Sequence, residues 1–210
     1  VVMNGGAITW TGPMGSINNS TFINNQANFY GGAIYFDEIR GGITNSKFID
    51  NSASDGGAVY ANQKYIHIDN CVFIKNDANN GAAVYVNGEK GKIHNSLFEN
   101  NTASRSGGAI YWNYITGIVT TSNFTFNKAK SGGAIYWNHE YGKVSDCEFS
   151  NNTATQEGGA IYWNDNYGTV DSSSFENNTA RYGGAIFWDY DYGRVTESVF
   201  IKNAANDGGA

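Results

Sequence analysis

Imidazoles, carboxylates and thiols are all present in this 210-residue chain, but few of them are spaced to act together. His67, His94 and His139 fall at three different points of a repeating unit, so they make no expected metal cluster. Asp165, Asp189 and Asp191 crowd one C-terminal region, yet their spacing matches no calcium loop. Acid/base cleavage of a polysaccharide needs paired carboxylates, often with calcium and a basic residue in one cleft. A site of that kind breaks the pattern of a repeat, and here the units are nearly interchangeable, with Lys and Arg scattered. The expectation is a non-enzymatic chain with no catalytic residue, no metal and no cofactor. The side chains present in quantity are phenols, indoles and carboxamides, and these suit contact with sugar rings or a protein surface.

Their spacing is strict. A Gly-Gly-Ala triplet opens at Gly5, Gly31, Gly56, Gly81, Gly107, Gly132, Gly158, Gly183 and Gly208, with Ala82 as one departure. A phenylalanine follows each of the first eight copies 17 residues later: Phe22, Phe48, Phe73, Phe98, Phe124, Phe149, Phe175 and Phe200. The resulting period of 25 or 26 residues marks a solenoid.

The columns of the repeat predict its elements. Ile/Val recurs five residues before each phenylalanine (Ile17 to Val195) and directly after each triplet (Ile8 to Ile186). β-Branched and aromatic residues suit strands, and the segments are too short for helices. Three short strands per rung are expected: Ala-Ile-Tyr-Trp, as at 134–137; the Ile/Val column, as at 143–145; and the Ser/Cys column through Phe, as at 147–149. The Ile/Val and Ser/Cys columns lie three apart, which breaks strand parity. The intervening position often carries Asn (Asn19, Asn45, Asn70, Asn95), a residue that tolerates left-handed backbone, so a bend is expected there. Glycines from Gly15 to Gly193 mark another corner, with Ile66 as the exception. Parallel strands with connections of this size coil right-handed. The fold class predicted is all-β: a right-handed parallel β-helix of about eight rungs, roughly 38 Å long at the strand spacing.

Phe-x-x-Asn completes the unit with an unbroken column: Asn25, Asn51, Asn76, Asn101, Asn127, Asn152, Asn178 and Asn203. Stacked at strand spacing, these side chains are expected to bond along the axis and hold a corner as a structural ladder. An alanine column two residues on (Ala27 to Ala205) reads as a tight corner. The extra residue of the longer rungs falls between that Asn and the next triplet, in a segment expected to be a variable loop.

The net charge of −6 and pI near 4.9, with no basic stripe to neutralise phosphates, argue against a nucleic-acid partner and against docking on anionic lipid. No apolar run reaches the roughly 20 residues a membrane helix needs, so direct insertion of this segment is not expected. Cys71 and Cys147 share the serine column three rungs apart, roughly 14 Å at the strand spacing, beyond the reach of a disulfide. They are expected to be free and inward-facing. Among the glycosylation sequons at Asn18, Asn19, Asn100, Asn123, Asn151 and Asn177, Asn123 is expected to face outward. The chain opens just before one triplet and closes inside another, which reads as a single β-helix segment, 1–210, excised from a longer surface protein.

Gly-Gly-Ala-Ile alternating with Phe-x-x-Asn resembles the repeats of the chlamydial polymorphic outer membrane proteins, and equally those of adhesin-like surface proteins of methanogenic archaea. The likeness covers the whole chain. It implies a secreted, extracellular β-helix held at the cell surface and mediating adhesion, with carbohydrate or protein on another cell as partner. The low cysteine content departs from the chlamydial pattern, and no outer-membrane barrel is visible.

The candidate binding residues are aromatic. Thr9, Tyr35, Tyr60, Tyr85, Tyr111, Tyr136, Tyr162 and Phe187 follow the inward Ile/Val, so alternation turns them outward as a file of rings. All five tryptophans occupy the next column, which returns inward or caps its corner. The loops beyond it gain aromatics toward the C-terminal end. The predicted adhesive surface is Tyr111, Tyr136 and Tyr162, flanked by Tyr141, Tyr167 and Tyr192. The competing expectation is a structural stalk that displays a distal binding domain, with the tyrosines serving only to stack. A polysaccharide lyase is the least favoured reading.

Overall fold

A computed structural model of the chain describes residues 3–37 and 40–207. The last triplet, opening at Gly208, lies outside the described residues. Every strand pairs in parallel with its counterpart one repeat away, and the pairing matches like with like: Ile110 with Ile135, Val119 with Val144, Phe98 with Phe124. The product is a β-solenoid of 30 strands in four parallel sheets, three of eight strands and one of six, wound in about eight turns. The sixth rung shows the plan, with strands Ile135–Trp137, Lys143–Ser145, Glu148–Ser150 and Thr153–Glu157.

The first three strands are those expected. The fourth corrects the reading of the alanine column. Ala78, Ala103, Ala129 and Ala154 are not at a corner but within strands, buried to 3–6 % exposure. The segment expected as a variable loop also pairs from rung to rung. Its extra residue is absorbed as a bulge, seen in the register shift between Thr102 and Ser106. Small polar residues with one central alanine carry little strand propensity, and the ladder of backbone bonds to neighbouring rungs overrides that weakness.

Corners form where the backbone turns left-handed. The bend after the Ile/Val strand has φ between 45° and 54° in all eight copies, from Asn19 to Glu197, as its Asn content implied. Two further columns are left-handed with no glycine to mark them: the residue before the ladder Asn, as at Asn151 (φ 56°), and the residue before the corner glycine, as at Tyr141 (φ 58°). The triplet makes the fourth corner. Gly132 has φ +64°, and a Cβ on Gly133 would stand 2.1 Å from Gly159 O on the next rung. Glycine lets the two backbones close there without displacing a side chain, and the one rung with Ala82 in that position keeps the turn, its backbone N–H donating to Gly107 O at 3.3 Å.

The interior is layered by residue type. The eight phenylalanines stack at centroid separations of 4.8–5.0 Å and are nearly coplanar. The tryptophan column does return inward: Trp112, Trp137 and Trp163 are fully buried and stack at 4.8–4.9 Å. Their rings lie flat across the corner glycines, so a Cβ on Gly142 would stand 2.1 Å from Trp137 Cε2. The exceptions to the two columns compensate for one another. The rung with Ala61 in the tryptophan position carries Ile66 in the glycine position, and Ile66 is 2 % exposed. Its side chain reaches within 3.2 Å of where a Cβ would stand on Gly41, and 2.8 Å on Gly91. It thus fills the space Ala61 leaves.

Asparagine secures the opposite corner. Asn127 Nδ2 donates to Phe98 O (2.9 Å) and to Asn152 Oδ1 (3.0 Å), while its Oδ1 accepts from the N and Nδ2 of Asn101 (3.1 and 3.0 Å). Asn51, Asn76, Asn101, Asn152 and Asn178 repeat the pattern in the buried interior, with Asn25 and Asn203 at the half-buried ends. A buried carboxamide without these partners costs about 1–3 kcal/mol per group, so the column is a structural ladder.

Candidate functional site

The outward tyrosine file forms as strand alternation requires, but it is not an exposed stripe. Tyr35, Tyr60, Tyr85, Tyr111, Tyr136, Tyr162 and Phe187 stack in one continuous column, with centroids 4.7–5.6 Å apart. Tyr60 is 7 % and Tyr162 9 % exposed, and Tyr111 and Tyr136 are half-buried. The cause is the triplet turn. It is so tight that the last residue of the preceding strand lies alongside the file, in the column Tyr30, Asp55, Asn80, Ser106, Ser131, Glu157, Tyr182. Tyr30 packs on Tyr60 at 4.6 Å and Tyr182 on Phe187 at 6.5 Å. Burial, aided by the Asp37 carboxylate, pushes the Tyr35 phenol up to about 12. Burial first, and then neighbouring phenols and carboxylates, raise Tyr60, Tyr85, Tyr136 and Tyr162 further. Tyr111 is raised by burial and Asp55.

On its other flank the file meets a second amide ladder that the sequence reading missed. Asn62 donates to Asp37, Asn87 to Asn62, Asn113 to Asn87, Asn138 to Asn113 and Asn164 to Asn138, over 2.7–2.9 Å. Tyr35 and Tyr162 tie into it through hydroxyl bonds to Asp37 and Asp189. The signal was available as an Asn/Asp column running from Asp37 to Asp189 directly after the tryptophan position, with Thr11 as its one departure. The carboxylate at each end accepts but cannot donate.

Tyr141, Tyr167 and Tyr192 form a separate file. They sit at the left-handed position before the corner glycine (φ 58°, 58° and 61°), and their rings stack at 5.1 and 5.0 Å. They are 54 %, 44 % and 71 % exposed. Among the described residues no ring contact joins this file to Tyr111, Tyr136 and Tyr162. The six tyrosines singled out in the sequence therefore make two surfaces, one covered and one displayed. Their exposures are set by the turns beside them and not by strand parity.

The titratable candidates disperse. His94 Nδ1 lies 2.6 Å from Asp69 Oδ1, His139 Nδ1 4.0 Å from Asp165 Oδ2, and His67 is exposed elsewhere. Asp189 accepts from Tyr162, and Asp165 from the backbone of Asn166. Among the described residues no three His, Cys, Asp or Glu side chains stand close enough to hold a metal ion. Cys71 and Cys147 are buried free thiols. They donate to Asp69 O and Ser145 O as the serines of their column do, and burial raises them to about 11 and about 12. Asn123 is exposed on its strand. No helix of the described residues is long and apolar enough to cross a membrane.

Fold and columns together define a parallel β-solenoid stacked from Gly-Gly-Ala and Phe-x-x-Asn units. Five segments, residues 19–37, 45–62, 95–111, 146–162 and 172–187, match the Chlamydia polymorphic membrane protein (Chlamydia_PMP) repeat. The chain carries β-helix repeats of that type, which suggests an adhesin-like protein located at the surface. No curated protein and no solved structure matches the chain.

Proposed function

We propose that this chain is a rod-like, non-enzymatic segment of an extracellular adhesin, making contact with carbohydrate or protein on another cell. The carrying observation is the displayed file Tyr141–Tyr167–Tyr192. Three stacked rings are held out on strained left-handed backbone at about half exposure or more. Tyrosine in that conformation costs roughly 1 kcal/mol or more per residue, and rigid exposed aromatics are what partners dock on. The covered file Tyr111–Tyr136–Tyr162 supports the wall from which the corner projects. The repeat type supports a surface location.

The test is retention by the chain alone. Beads coated with it should hold cells or bind a glycan array, and should do so more strongly at high coating density because weak sites add through avidity. Coated beads that retain nothing, while a longer protein displaying the same segment does, would make it a stalk.

A further inference from the structure

Stacked rings cover one another's faces. Along its length the corner file therefore shows solvent only ring edges and hydroxyls, and a free face exists only at an end. Toward the N-terminal end the file stops at Tyr141, because the next positions in its column are Thr116 and then Lys90. A cleft of about 470 Å³ opens there, lined by Lys90, Lys92, Thr116, Ile118, Tyr141 and Lys143. Lys92, Ile118 and Lys143 are paired neighbours on successive rungs. The cleft is thus one rung deep, with lysines on both sides.

Rungs repeat at about 4.8 Å, so Lys90 and Tyr141, two rungs apart, leave roughly 10 Å between them. That gap holds one flat ring, the one a tyrosine at position 116 would have supplied. Lys90 and Lys143 are exposed and Lys92 is half-buried. Lys143 Nζ lies 3.8 Å from Asp171 Oδ2, Lys90 Nζ lies 5.8 Å from the Tyr65 ring, and Glu89 is already paired with Lys64. Thr116 Oγ1 is buried without a hydrogen-bond partner among the described residues.

We propose that this cleft binds an acidic sugar unit, a pyranose bearing a carboxylate or sulfate. The apolar face of the sugar ring stacks on Tyr141, continuing the file, and its anion sits among Lys90, Lys92 and Lys143. The chain's net charge of −6 does not oppose this. At physiological ionic strength charges beyond about 8 Å are largely screened, so the local cations decide. The proposal rests on the adhesion reading and gives its surface a ligand class.

The test titrates the purified chain with hyaluronan hexasaccharide, chondroitin sulfate hexasaccharide and uncharged cellohexaose. At least one acidic oligosaccharide should bind, and cellohexaose about tenfold more weakly or worse, a gap of about 1.4 kcal/mol. Thr116→Tyr fills the slot with a residue the same corner accepts at 141, 167 and 192. It should keep the unfolding midpoint and lose binding about tenfold or more. Lys90→Gln with Lys92→Gln, outside the core, should weaken binding severalfold and flatten its salt dependence; that pair carries the test if Thr116→Tyr fails to fold. Equal binding of cellohexaose, unchanged binding by a folded Thr116→Tyr, or capture of a tyrosine-sulfated peptide in preference to both acidic sugars would overturn the proposal. Cell retention that survives Thr116→Tyr removes the cleft and leaves adhesion standing. Sugar binding without cell retention does the reverse.

Discussion

The two tyrosine files differ in what holds them. Tyr111, Tyr136 and Tyr162 are strand residues, covered by the column before the triplet on one side and by the outer amide ladder on the other. Tyr141, Tyr167 and Tyr192 have the same ring spacing but stand on a left-handed corner with little beside them. Equal periodicity thus gives a wall in one place and a displayed surface in the other. The difference lies in the neighbouring turn.

The sealed interior sets the upper end of the scale against which both files are judged. Phe124→Ala removes a fully buried ring stacked between Phe98 and Phe149. It should cost about 3–5 kcal/mol, with the damage centred on adjoining rungs. Denaturant unfolding checks the size, and hydrogen exchange the location. Gly142→Ala comes next. Its Cβ would meet the Trp137 ring at 2.1 Å, and that ring is pinned between Trp112 and Trp163. Overpacking of this kind costs about 1–3 kcal/mol.

The files themselves should then separate. Tyr136→Ser breaks two stacked contacts in the covered file and should destabilise by about 1 kcal/mol per contact. Tyr167→Ser also breaks two contacts, but on exposed rings that carry left-handed strain, and should cost less than about 0.5 kcal/mol. Equal losses at the two sites would erase the distinction.

A smaller effect appears at high pH. Burial raises the folded pKa of Cys71 and Cys147 above 9.0 and of the covered tyrosines above 10.0. The folded state therefore favours their protonated forms. Their contribution to stability is complete below pH 9 and is lost as pH rises through the raised values. The unfolding midpoint should not fall from this cause below pH 9, should decline above it, and should decline less in Tyr136→Phe. An unaltered alkaline slope in that variant would contradict the burial of the Tyr136 hydroxyl.

Much of this was readable from columns alone. The period set the solenoid, invariant Phe and Asn set the interior, and the three-residue offset between Ile/Val and Ser/Cys forced the bend at Asn19 and its equivalents. What escaped were features that depend on how one column lies beside another. The alanine column was assigned to a corner because small residues suit turns, whereas cross-rung bonding makes it a strand. The covered file was expected in the open because parity gives direction, not what stands alongside. The cleft at Thr116 was invisible for a similar reason: one short residue in a column of otherwise long side chains becomes a slot only when its neighbours are stacked.

The central claim is that the displayed file, and not the covered one, makes the contact. Two triple variants decide it, with folding of each verified by circular dichroism: Tyr141→Ser, Tyr167→Ser, Tyr192→Ser against Tyr111→Ser, Tyr136→Ser, Tyr162→Ser. Measured on coated beads, cell retention should collapse in the first and persist in the second at a temperature where both are folded. Retention that survives the first variant, or collapses only in the second, would contradict the account.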